Sequence, residues 1–173
     1  MLALQKAKEV ARSADFTSAP SLIANNEYQW SDPTSTIGRR LKLDIFSYKF
    51  SITSSYFSDP NIISAKNLPD PERAKAESQS FLNSMSVLSE DIDTEKTKNS
   101  TFSISNGQLI PATILANTQI IKVIFFQKDI EKLPIYYPDP TESTMTVVIG
   151  GGSNNFQVVQ ANFFHQSISD DPA

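Results

Sequence analysis

The stretch "VVIGGGSNNFQVV" (Val147 to Val159) decides the fold, because it sets three of the chain's five glycines directly behind an apolar run. A glycine-rich turn after a strand either cradles a phosphate or reverses the chain. A phosphate loop needs Lys and then Ser or Thr behind its last glycine, and a dinucleotide site needs spaced glycines that open a helix. Here the glycines lead into Phe156, Val158 and Val159, residue types that favour a strand. The reading is a hairpin in which Gly150 to Asn155 form an exposed tip between two adjacent antiparallel strands, Gly and Asn supplying positive φ.

Outward from that hairpin, the second half of the chain reads as strands. "STMTVVIGG" alternates through Met145, Val147 and Ile149, while "NFQVVQANFFHQ" carries Phe156 and Val158 and then, after a slip in phase, Ala161 and Phe163. "TQIIKVIFFQKDI" is a nearly continuous apolar run suited to a strand buried on both faces. "TFSIS" and "QLIPATI" flank Asn106-Gly107, a strong hairpin signal, and the polar "SEDIDTEKTKNS" precedes them.

Two helices stand out. Leu4, Ala7, Val10, Ala11 and Ala14 recur at helical spacing near the N-terminus. In the second, Asp70 caps, Pro71 suits the first helical position and Glu72 favours the positive end of the dipole. Ala74, Ser78, Phe81, Leu82, Met85 and Leu88 then form a stripe. Between the helices, "NEYQW" reads as a short strand within a polar, irregular Asp15 to Asp32 segment. Leu41 to Ile52 alternates with a phase slip between Ile45 and Phe46, which predicts a bulge or a strand that changes face. Five prolines follow aspartate, at Asp32, Asp59, Asp70, Asp139 and Asp171, and read as turn and helix starts.

The order helix, strands, helix, strands predicts an α+β fold with helices packed on one face of an antiparallel sheet. One domain over residues 1–169 is expected. The alternative is a loose duplication, an N-terminal helix-plus-strands subdomain (1–66) followed by a second subdomain (67–169), each opening on a helix.

Composition narrows the function. A net charge of -4, with 39 % hydrophobic and 20 % charged residues, fits a folded soluble chain and argues against nucleic-acid binding, for which Arg39, Arg40 and Lys42 form the densest basic patch. No membrane span or secretory signal is visible, and the absence of cysteine excludes disulfides and thiolate chemistry.

Candidate sites are few. His165, the only histidine, reads as an edge or surface residue, although a Ser-His-Asp arrangement is formally open. Glu90, Asp91, Asp93 and Glu95 are oxygen ligands without the turn glycine of a calcium loop, so a solvated charged loop is expected. Asn99-Ser100-Thr101 is a glycosylation sequon. In "KDIEKLPIYYPDPTES", Asp129, Glu131, Asp139 and Glu142 flank two tyrosines, and Tyr136, Tyr137, Asp139 and Glu142 are the expected interaction surface.

"LPDPERAKAESQSFLNSMSVLSEDI" (Leu68 to Ile92), followed by "ISNGQLIPATI", "IIKVIFFQKDIEKLPIYY" and "MTVVIGGGSNNFQVVQANFF", resembles PepSY-like and YycI-type domains, a helix with antiparallel strands packed on it. That resemblance implies a cystatin/PepSY-like fold and a non-catalytic interaction or regulatory domain of a bacterial envelope protein. It also implies an extracytoplasmic location with a membrane tether upstream, another envelope protein or peptide as partner, and no cofactor or metal. A carboxylate-dependent hydrolase or carbohydrate-active enzyme, and a structural or assembly protein, are the alternatives.

Overall fold

The computed structural model describes residues 2–130, 135, 137, 139, 141–152 and 155–166. The protein is a mixed α+β fold built on one nine-stranded antiparallel sheet. The chain runs α1 (Leu2–Ser13), β1 (Ser21–Ala24), β2 (Glu27–Ser31), β3 (Arg40–Asp44), β4 (Phe50–Thr53), α2 (Pro60–Ser64), α3 (Pro71–Ser84), β5 (Ile92–Ser105), β6 (Gln108–Pro111), β7 (Ile120–Gln127), β8 (Met145–Gly150) and β9 (Gln157–Phe163). Across the sheet the order is β1-β2-β3-β4-β9-β8-β7-β5-β6.

Register sorts the strand residues into two sets. Leu41, Ile52, Ala161, Val147 and Val123 lie opposite one another along one row. They share a core cluster with Ala7 and Ala11 of α1 and with Ala74 and Leu82 of α3. The alternate residues Ile120 and Val148, with Val159 of β9, form a smaller cluster with Tyr56, just before α2, and Ile62 of α2. That arrangement explains why "IIKVIFF" is apolar at nearly every position: both its faces are buried.

Aspartate starts the elements as expected. Asp70 accepts from Arg73 N at 2.9 Å to cap α3, and Asp59 accepts from Asn61 N and Ile62 N at 2.9 and 3.2 Å to cap α2. Asp32 and Asp139 each accept from the amide two residues on, at 3.0 and 2.8 Å. Asp171 lies outside the described residues.

The two halves of the chain match at their helix ends. Ala7 and Ser78 are both fully buried, as are Ala11 and Leu82. Ser13 and Ser84 each donate from Oγ to the carbonyl three residues back, both at 2.8 Å. Asp15 and Ser86 both take left-handed φ, 70° and 55°. The amides of Phe16 and Val87 close the helices onto Ala11 O and Leu82 O at 3.0 and 3.2 Å, a Schellman closure in each case. From there each half runs outside to inside, β1-β2-β3-β4 and β5-β7-β8-β9, and the last strands meet antiparallel. β6 is an extra hairpin strand on the outside of β5.

Four expectations need correction. First, the Leu41 to Ile52 slip is a tight hairpin: Asp44 accepts from Phe46 N and Ser47 N at 2.9 and 2.7 Å, and Tyr48 takes φ 56°. No glycine or proline announces it. Second, β5 begins at Ile92, inside the polar stretch, with its register to β7 broken between Asp93 and Lys98. Third, the irregular Asp15 to Asp32 segment holds β1 as well as β2. Fourth, β8 and β9 are adjacent and antiparallel as the glycine stretch required, yet Gly150 and Gly151 are buried, and the only glycines with positive φ are Gly38 and Gly107. Space is what they supply. A Cβ on Gly150 would stand 3.0 Å from Val159 and 3.3 Å from both Ile120 and Ile62, and one on Gly151 would stand 2.2 Å from Ala65 Cβ. Ser153 and Asn154 lie outside the described residues.

One buried ion pair anchors α1. Arg39 Nη1 lies 3.1 Å from Asp32 Oδ2, with the two side chains 10 % and 4 % exposed, and Nη2 donates to Ala14 O at 3.3 Å. The guanidinium also lies over the Phe16 ring, 4.9 Å from its centre. Burial lowers its proton affinity, and Asp32 and Asp15 oppose that shift.

Asp32→Ala is expected to cost about 3–5 kcal/mol in urea unfolding, because it leaves a buried cation unpaired. Gly151→Ala should cost about 1–3 kcal/mol through overpacking, and adding Ala65→Gly should recover part of that loss by removing the opposing methyl. A positive-φ role for Gly151 would give no recovery.

Candidate functional site

The densest polar constellation gathers where β5 starts and where β7 and β9 end. Ile92 pairs with Gln127, which places Asp91 beside the end of β7. Two residues beyond β9, the His165 ring stacks on Phe163 with centroids 6.1 Å apart and planes within 8°. His165 Nε2 lies 2.9 and 2.8 Å from the two Asp91 oxygens and 3.1 Å from Ser89 Oγ. Ser89 Oγ donates to Asp91 Oδ1. Gln127 Nε2 donates to Asp91 Oδ2 at 3.0 Å and to Gln166 O at 2.9 Å, while Gln127 Oε1 accepts from Gln166 N at 3.2 Å.

Ser, His and Asp therefore do meet, but on one ring nitrogen. In a hydrolytic triad the carboxylate holds one imidazole nitrogen, and the other, unprotonated, accepts the serine proton. Here Nε2 faces both carboxylate oxygens, so the network assigns it a proton that it donates to Asp91. The Ser89 proton goes to the same carboxylate. Asp91 is thus an acceptor for three side-chain donors, and Ser89 is not set up as a nucleophile. Burial raises the Asp91 carboxyl, but hydrogen bonds from Ser89, His165 and Gln127 and the nearby His165 charge outweigh it and hold the group below the usual carboxylate range. His165 is part-buried, its side chain 20 % exposed, and it ties the end of β9 to the chain before β5 and to β7.

The other candidates disperse. Asp93 accepts from Glu95 N and Lys96 N at 3.1 and 3.0 Å, and no group of three metal-ligating side chains occurs among the described residues. Asn99 Nδ2, the atom glycosylation would use, donates to Pro71 O at 3.0 Å. Arg39 is buried with Asp32, which leaves Arg40 and Lys42 on the exposed side of β3.

Of the expected interaction surface, Tyr137 is half-buried and packs edge-on to Phe126 with centroids 5.8 Å apart. Asp139 accepts from the Thr141 amide and hydroxyl, which together lower its carboxyl. Glu142 pairs with Lys122, and Asp129 pairs with Lys96 at 2.8 Å. These carboxylates are held by separate partners. Tyr136 and Glu131 lie outside the described residues.

A feature that the sequence did not announce is the sheet edge at β1, which has no outer strand among the described residues. β1 ends the sheet, all four of its residues are exposed, and Leu22 and Ile23 remain 60 % and 41 % accessible. No charged residue occurs from Phe16 to Asn26. That uncharged run was the available signal, since native edges are commonly guarded by charge. The opposite edge, β6, contains Pro111, which removes a backbone donor. Among the described residues no helix is long and apolar enough to cross a membrane. Compared with protein-family models, curated proteins and solved structures, the chain matches none.

Because the Asp91 carboxyl titrates lower in the folded state, its stabilisation is present above the unfolded value of about 3.9 and is lost as pH falls through the folded one. The Asp91 side chain is 41 % exposed, so water screens its contacts. Asp91→Asn should therefore lose at most about 1 kcal/mol at pH 7. In urea titrations the gap to the native chain should shrink steadily below about pH 4.

Proposed function

We propose that the protein is a non-catalytic binding domain that takes an extended strand from a partner at the outer side of β1. The observation that carries this reading is the uncharged, exposed edge Ser21–Ala24 with Leu22 and Ile23 accessible. An unpaired strand offers backbone donors and acceptors for affinity, and neighbouring side chains choose the partner. The rest of the molecule supports that role by holding the edge still. α1, packed in the core through Ala7 and Ala11 and tied at its end to Arg39, braces the β2–β3 hairpin on which β1 sits.

A PepSY-like architecture, an extracytoplasmic setting and an envelope protein or peptide as partner complete the reading. They rest on the sequence resemblance of Leu68 to Gln166, and the lack of cysteine is compatible with them. The test is hydrogen exchange on the domain with and without a partner recovered from bacterial envelope extracts. The amides of Ser21 to Ala24 should gain protection in the complex. A Leu22→Asp, Ile23→Lys variant should lose the partner while its Tm stays within about 2 °C of the native chain, since surface changes away from packing features cost little. Protection confined to another element, or turnover of a peptide, ester or glycan by the native domain, would overturn the reading.

A further inference from the structure

The two halves differ at one position. Outside β5 lies β6, paired antiparallel through Phe102–Pro111, Ser103–Ile110, Ile104–Leu109 and Ser105–Gln108. Outside β1, which holds the corresponding place in the first half, no further strand is paired among the described residues. The strand that fills the position in the second half reads Gln-Leu-Ile-Pro. Only one other Leu-Ile pair occurs in the chain, and it lies in β1 itself, Ser-Leu-Ile-Ala. β1 of another copy is therefore a chemical match for the strand that β1 lacks.

We infer that the strand taken up at β1 is β1 of a second copy of this chain, joined antiparallel across a two-fold axis into one continuous sheet. This rests on the proposed use of the β1 edge and puts a second copy there in place of an envelope partner. Two observations carry it. The edge bears no charge, so two copies of a chain with net charge -4 meet there without local repulsion. The fold already joins corresponding strands this way at its centre, where β4 and β9 pair antiparallel. A two-fold contact also closes on itself, so it yields a dimer instead of a growing fibre. Pro111 blunts the other edge and disfavours extension from β6.

A two-fold axis normal to the sheet sets a residue of β1 opposite its own copy, Leu22 or Ile23 for the greatest overlap. A directly opposed pair lies within disulfide reach, and the chain has no cysteine to interfere. Single cysteines at Leu22 and at Ile23 are thus the probes, with Lys42→Cys on exposed β3 as control. Sedimentation equilibrium of the native chain, from low micromolar to submillimolar concentration, should show a monomer–dimer equilibrium. Leu22→Lys with Ile23→Lys should weaken it at least about tenfold, since like charges then face each other, with Tm unchanged. Leu22→Cys or Ile23→Cys should form a covalent dimer under mild oxidation, and Lys42→Cys should not.

A native chain that stays monomeric throughout, or a dimer indifferent to the lysines and without cross-links at both positions, would overturn the inference. A monomer that still gains protection at Ser21 to Ala24 from an envelope partner would sink it while leaving the proposed function standing.

Discussion

The antiparallel pairing of β4 with β9 is the constraint on which the rest of the molecule depends. Only three residue pairs define it, Phe50–Phe163, Ser51–Asn162 and Ile52–Ala161. Yet it alone joins the four strands of the first half to the five of the second in one sheet, and its closing pair stacks two buried phenylalanines 5.8 Å apart within 16° of parallel. Each half alone would expose an inner edge of apolar alternation, an arrangement that invites pairing. Joined, the inner edges vanish and only the outer ones remain. Among the described residues, the sheet's remaining backbone edges are those of β1 and β6.

Polar groups do the positioning around that centre. The Arg39–Asp32 pair costs desolvation, and its buried geometry is evidence of placement more than of net stability. By reaching Ala14 O it joins the end of α1 to the loop between β2 and β3. The Asp91 cluster does the corresponding job at the far side, joining the chain just before β5 to the ends of β7 and β9. Both bring a carboxylate and a cation-capable side chain together at strand ends, where the ladder leaves backbone groups in need of partners.

How legible this was follows from which forces act locally. The capped start of α3, the Asn106-Gly107 hairpin and the buried run of β7 were readable because each is encoded within a few residues. The β3–β4 turn was hidden because a carboxylate and a left-handed tyrosine replace the usual glycine. The glycine stretch was half legible: its neighbours announced two strands, but the reason for glycine lies in Ala65, Val159 and Ile62, contacts made across the fold. The halves' correspondence at their helix ends was equally hidden, since "ARSADF" and "LNSMSV" share one serine and match only in burial, left-handed φ and hydrogen bonding. The Ser89, Asp91 and His165 cluster is a tertiary event between residues far apart in sequence, and no local pattern foretells it.

That division also bears on where function can sit. Groups in the Asp91 cluster and the Arg39 pair are committed to each other, so substituting one orphans its partner and disturbs the strand ends it holds. β1 carries no such commitment: its four side chains are exposed, its residues start no helix and cap no strand, and its inner side alone is paired, to β2. Sequence there is free of the core's demands. Its uncharged, aliphatic character is consequently not something the fold requires. A solvated edge with no partner would tolerate lysine or glutamate at Leu22 and Ile23 at little cost to stability, and would gain protection against unwanted pairing from either. That it carries Leu and Ile instead is what the proposed strand addition at this edge rests on.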